Sequence, residues 1–154
     1  MLDPCLNGWT NLSTGCYRLI KASSHQEATT KCNNEGGYLV EIDTQKEQDQ
    51  LALFYKDSKL RTYVWLGGTD ENREGHWIGN YSGREIMKFN AWRYSYYPNG
   101  GFGENCLITH YSWQFKWDDK SCSYGRGDAT ALCEYPNQME PPVNSSTPVI
   151  GILK

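Results

Sequence analysis

At 154 residues, with a formal charge of −3 and a pI near 5.6, the chain has the size of a single domain. It carries no long basic patch, which argues against a nucleic-acid partner, and no apolar run approaches the roughly 20 residues that cross a bilayer, which argues against membrane insertion. Hydrophobic residues make up 38% and aromatics 14%, so aromatic side chains are expected to supply much of the packing.

Six cysteines, Cys5, Cys16, Cys32, Cys106, Cys122 and Cys133, form an even set without a Cys-x-x-Cys pair. That usage reads as disulfides made in an oxidising compartment, and the chain is expected to be secreted. Asn-x-Ser sequons at Asn11, Asn80 and Asn144 agree with a glycoprotein, each needing a surface position to be used. The start Met1-Leu2-Asp3-Pro4 lacks the charged-then-apolar layout of a leader, so a mature domain with an added initiator is expected.

In chain order, Gly15-Cys16-Tyr17-Arg18-Leu19-Ile20 is a short strand, and Cys5 and Cys16 are near enough in sequence to close a hairpin. Ser24-His25-Gln26-Glu27 is a capping box, Ala28 and Cys32 continue one face at i,i+4 spacing, and Gly36-Gly37 stops the helix. A strand follows over residues 38–42. Thr44-Gln45-Lys46-Glu47 is a second capping box, and Leu51, Phe54 and Tyr55 mark the buried face of the helix behind it. Beyond residue 63, Tyr63-Val64-Trp65-Leu66, His76-Trp77-Ile78, Cys106-Leu107-Ile108-Thr109, Phe115-Lys116-Trp117 and Ala131-Leu132-Cys133-Glu134-Tyr135 are β-prone runs. Residues 79–105 are too long for a turn and carry Pro98, Gly100, Gly101 and Gly103. A long connection of that kind inside a compact domain is usually functional.

That segment and the one after it hold Asn99, Glu104, Asp118 and Asp119 within 21 residues. Carboxylates and an amide are the ligands of a hard cation such as Ca2+, and a proline beside one of them with a crosslink between the others would fix the loops that present them. The histidines His25, His76 and His110 are scattered without zinc-site spacing and are expected in packing or surface roles. Gly79-Asn80-Tyr81-Ser82-Gly83 is one residue out of step with a nucleophile elbow, and paired acids on a loop-rich face lack the deep cleft of a glycosidase, so no enzyme is expected.

From Cys5 to Tyr135 the chain resembles a C-type lectin-like domain. The resemblance rests on Trp65-Leu66-Gly67-Gly68, Pro98-Asn99, Gly103-Glu104-Asn105-Cys106, Trp117-Asp118-Asp119, Cys122 and Cys133 in that order. It implies an α+β fold of two short helices, small antiparallel sheets and a long loop region. It also implies disulfides Cys32–Cys133 and Cys106–Cys122, with Cys5–Cys16 as in the long form of the domain, where sequence alone leaves fifteen pairings open. The domain is placed at residues 1–136. Residues 137–154, rich in Pro, Ser, Thr and Asn at their start, read as a linker or tail.

The family's Ca2+ and sugar site combines a Glu-Pro-Asn or Gln-Pro-Asp triplet, a Glu before the third-last cysteine and a Trp-Asn-Asp motif. Mapped here, Asn99, Glu104, Asp118 and Asp119 are the implied ligands, with Tyr97 where Glu or Gln is usual and Asp118 where Asn is usual. Tyr97 removes a donor, because a neutral phenol is a poor Ca2+ ligand, and Asp118 restores the lost charge. Asn99 favours mannose-type over galactose-type hydroxyls. Tyr97 would modify that preference, while Phe102 would lie against a sugar face or pack within the loop. An auxiliary cation site in the family corresponds to Asp70, Glu74 and Asn105 but lacks a further Asp, because Gly100 takes its place. The run Asp70-Glu71-Asn72-Arg73-Glu74 is expected to be a solvated turn.

The function implied is a Ca2+-dependent lectin for glycans of cells or microbes, gaining avidity from several copies; since the sequence shows no coiled coil, a homo-oligomer would form by domain contacts or by a partner. A lectin-like domain without sugar binding that recognises a protein through its long aromatic loop is the alternative that Tyr97 favours, and an ice-binding or structural derivative of the fold is a third.

Overall fold

The computed structural model describes residues 5–86, 89–93, 103–124 and 128–136. Its elements run β1 (Thr10–Leu12), β2 (Gly15–Lys21), α1 (His25–Asn34), β3 (Tyr38–Leu39), α2 (Gln45–Asp57), β4 (Val64–Thr69), β5 (Cys106–Thr109), a 3-10 turn (Tyr111–Trp113), β6 (Trp117–Lys120) and β7 (Thr130–Tyr135). The strands lie in the order β1-β2-β7-β4-β5-β6, with β3 also on β7. The expected α+β lectin fold is the one observed, and its strands join in one mixed sheet: β4 runs parallel to β7, while the other pairs are antiparallel.

Both helices begin where the sequence places a cap. Ser24 Oγ accepts from Glu27 N and Thr44 Oγ1 from Glu47 N, each at 3.1 Å. The reciprocal arms reach one residue further back, Glu27 to Ser23 N and Glu47 to Asp43 N. At the end of α1, Gly36 takes a positive φ of 95° and Gly37 N donates to Cys32 O, the left-handed stop that glycine permits.

β4 and β7 are buried along their whole length because the sheet is covered on both faces. Alternate side chains part to opposite sides. Trp65, Ile108, Ala131 and Cys133 pack with Ala28 and Cys32 of α1; Val64, Leu66, Leu107, Trp117 and Leu132 pack with Leu51 and Tyr55 of α2. Gly67 lets β3 approach, since a Cβ there would lie 2.4 Å from Leu39 O. All three disulfides form as the family resemblance implies. Cys32–Cys133 spans 101 residues, so in the chain-entropy model it removes about 5 kcal/mol of unfolded-state freedom.

Three strand expectations are shortened. The run over residues 38–42 is a strand only at Tyr38–Leu39. His76-Trp77-Ile78 contributes one bridging residue, Ile78, facing Thr69 and Glu85. Gln114 and Phe115 have φ of 56° and 60°, so the chain is still turning where β character was expected, and β6 starts at Trp117. Gln48 of α2 sets that start, accepting from Trp117 Nε1 and donating to Phe115 O. Residues 137–154, read as a tail, lie outside the described residues.

Candidate functional site

Register brings the predicted acids together. Leu107 pairs with Asp119, Ile108 with Asp118 and Cys106 with Lys120, so Glu104 and Asn105, just before β5, stand at the Lys120 end of β6. β4 ends with Thr69 opposite Cys106, and Asp70 N donates to Asn105 O. Residues 91–93 run along the other edge of β6, where Trp117 N donates to Ala91 O and Arg93 N to Trp117 O. Asp70, Glu74, Glu104, Asn105, Asp118 and Asp119 thereby share one end of the sheet. The Cys106–Cys122 disulfide closes that end.

Within the cluster the acids have different partners. Asp118 is 0% exposed, and both its oxygens are engaged: Oδ1 accepts from Asp119 N at 2.9 Å, and Oδ2 accepts from Arg93 Nη1 at 3.1 Å with Lys120 Nζ 3.4 Å away. Lys120 Nζ also stands 4.0 Å from Glu104 Oε2. Burial raises the Asp118 carboxyl above its ordinary range, against the pull of Lys120 and Arg93. Burial also raises Glu104; Lys120 opposes that shift and the charges of Asp119 and Asp118 add to it. Burial would lower the Lys120 ammonium, but Asp118 and Glu104 outweigh it and hold the group above its usual value.

Asp70 departs from the solvated turn expected of its stretch. Its neighbours Glu71 to Glu74 are exposed, but Asp70 is 2% exposed. Its Oδ2 accepts from Gly75 N at 2.8 Å, while Oδ1 has no hydrogen-bond partner among the described residues. A buried carboxylate oxygen without a donor is costly, and a hard cation would satisfy it. Glu74 beside it is raised by desolvation and then by the Asp70 charge.

The donor chemistry, carboxylate oxygens with one buried acceptor that lacks a partner among the described residues, therefore fits Ca2+. Asp118 and Glu104 meet the cations Arg93 and Lys120, while Glu74 feels the charges of Asp70 and Asp119. Their oxygens are not drawn into a closed shell: no three of these acids have ligand oxygens within 4.8 Å of one another. Glu71 does approach Cys106 and Cys122 that closely, but those sulfurs are bonded to each other and are not thiolate ligands. Tyr97, Asn99 and Phe102 lie outside the described residues.

Two features of this region escaped the sequence reading. Lys120 could have been found, since residues i and i+2 of a strand share a face and Lys120 follows Asp118 at that spacing. Arg93 had no such signal, because its place beside β6 depends on the path of a long irregular segment. A second acid group was missed as well. Glu41, Glu47 and Glu134 are all buried, beside a cleft of about 350 Å3 that Tyr38, Asp43, Tyr81 and Arg84 also line. Tyr17 OH donates to Glu47 Oε2 at 2.6 Å, Glu41 N to Glu134 Oε1, and Tyr81 N and Ser82 N to Glu41 Oε2. Burial, then the Glu47 charge, pushes the Glu134 carboxyl up to about 9.

Comparison with known proteins identifies the frame in which these residues sit. A family model described as the lectin C-type domain matches residues 21–135. Bovine tetranectin is 32% identical over 133 residues, a match covering 85% of this chain and 64% of tetranectin, so this chain spans less than two thirds of that relative. The cow carbohydrate-recognition domain of CD23, solved in the presence of a GlcNAc2Man3 oligosaccharide, superposes with a TM-score of 0.72 at 26% identity, covering 88% of this chain and 98% of that one. A calcium-independent type II antifreeze protein shares the fold at a TM-score of 0.71 and 23% identity, covering 86% and 94%. These relatives are binding proteins, and an enzymatic role has no support in them.

Proposed function

The chain belongs to the C-type lectin domain family, and we propose that within it the protein is a secreted, Ca2+-dependent carbohydrate-binding lectin recognising glycans of cell or microbial surfaces. The observation that supports this most is the acid cluster at the end of β4, β5 and β6, in which Asp70 Oδ1 is buried with no hydrogen-bond partner among the described residues. Glu104, Asp118 and Asp119, with Asn99, would hold the ion, and Asp70, Glu74 and Asn105 would hold an auxiliary one. A bound Ca2+ supplies a Lewis-acidic contact for two adjacent sugar hydroxyls. The side chains do the rest: the carboxylates and Asn99 would hydrogen-bond the same hydroxyls, and Trp117, buried and bonded to Gln48 of α2, fixes the start of the strand that carries Asp118 and Asp119.

Asn99 favours mannose-type sugars in this reading, with Tyr97 as the modifier. Extracellular residence rests on three disulfides with no free cysteine among the described residues. Residues 1–136 would be the whole recognition domain, with 137–154 as a linker or tail. Retention on mannan resin, release by EDTA and weaker retention on galactose resin are the expected results.

One observation favours a second reading. Arg93 and Lys120 already neutralise Asp118, as a domain that recognises a protein without calcium would require. Protein binding that EDTA leaves unchanged, with no retention on mannan or galactose resin, would select it.

A further inference from the structure

Lys120 is placed like a resident ion. Its ammonium lies between two of the proposed ligands, 3.4 Å from Asp118 Oδ2 and 4.0 Å from Glu104 Oε2, and so bridges the segment before β5 and β6. Arg93 meets the same Asp118 oxygen from the other side, but it is fixed there. Its guanidinium stacks 4.3 Å above Trp113, and its backbone N–H is bonded to Trp117 O. Lys120 is held more loosely, its ring contact being 5.2 Å against the 4.3 Å of Arg93. Its four-carbon stem leaves the ammonium able to turn out of the gap, and from within the gap Nζ already lies 5.2 Å from the Tyr124 ring.

Resting on the calcium reading above, we infer that Lys120 is an intramolecular competitor of Ca2+. With Nζ between Glu104 and Asp118 the acids stay neutralised and the end of the sheet stays assembled without metal. When the ion is taken up, Nζ turns out of the gap between them. A divalent ion held by those carboxylates would lie within a few ångströms of the ammonium, so the repulsion must be relieved by movement or accepted as lost affinity. Lys120 therefore sets the calcium threshold of the site, and the domain shifts from a salt-bridged resting form to a metal-bound form.

The test is calorimetric titration of CaCl2 into the wild-type chain, Lys120→Met and Lys120→Arg, with thermal melts in EDTA and in Ca2+. Removing the charge should tighten Ca2+ by roughly tenfold or more and lower the melting temperature in EDTA, and Lys120→Arg should keep wild-type or weaker affinity. Lys120→Gln serves if the Met variant does not fold. Calcium binding by Lys120→Met but not by the wild type would support the competitor and overturn the calcium reading of the natural chain. Equal affinities in folded wild type and Lys120→Met would overturn the competitor while leaving the calcium reading standing. No binding by either would overturn both.

Discussion

His25 makes the stability of the sheet that carries the site depend on pH in a way that can be worked out in advance. It is 4% exposed, its ring stands edge-on to Trp65 at 5.5 Å, and Nε2 is 2.9 Å from Leu66 O in β4. Burial lowers its pKa from 6.5 to about 4, and the hydrogen bond to Leu66 O offsets this only in part. The folded state therefore binds the proton less readily than the unfolded state. The stability His25 contributes is complete above pH 6.5 and is lost as pH falls through 4. A shift of that size corresponds to about 3 kcal/mol, or roughly 6–12 °C of melting temperature for a domain of this length. Urea unfolding with disulfides intact, at pH 7.5 and pH 4, would be run on the wild type and on His25→Gln, which keeps an amide near Leu66 O and cannot charge. Between the two pH values the wild type should lose about 3 kcal/mol more than the variant, because the other titrations are common to both. Parallel losses in the two proteins would refute the burial argument.

Three more outcomes follow from the geometry. Glu104→Ala and Asp119→Ala should each abolish Ca2+-dependent retention on mannan resin, whereas Asp70→Ala should leave it nearly intact; equal loss from all three would contradict the assignment. Glu134 is held protonated by burial up to about 9, so in EDTA the stability it lends should be full below pH 4.5 and fall as pH rises toward 9. Glu134→Gln should flatten that decline above pH 6.5, as pH-dependent melts would show. Gly67→Ala would force a Cβ against Leu39 O and Val40 O, at 2.4 and 2.7 Å, and should destabilise the domain by about 3 kcal/mol or more, measured by urea midpoint.

What the sequence disclosed, and what it withheld, divides by range. The caps at Ser24 and Thr44 and the glycine stop after α1 are local chemistry, and each stands where its residues place it. The disulfides and the gathering of Glu104, Asp118 and Asp119 at one end of the sheet came from motif order, and the topology agrees with both. The turn at Gln114 and Phe115 was hidden, since neither residue type announces a left-handed conformation and α2 imposes it through Gln48. Asp70 sits in a charged run that looks solvated, but its position after β4 buries it against Asn105. The Glu41, Glu47 and Glu134 group combines three residues spread over 93 positions and meets only when β7 lies beside β3. Arg93 was beyond reach for the same reason, because its partner Asp118 is 25 residues away along an irregular path.

The central claim is that the acid cluster at the end of β4, β5 and β6 takes up Ca2+ despite its resident cations. Titration of CaCl2 into the metal-free wild-type chain tests it most directly. Saturable binding, with a melting temperature that rises with Ca2+ and falls back in EDTA, is the result the account predicts. No binding heat and an unchanged melting temperature at millimolar Ca2+ would contradict it, leaving Arg93 and Lys120 as the permanent partners of Asp118.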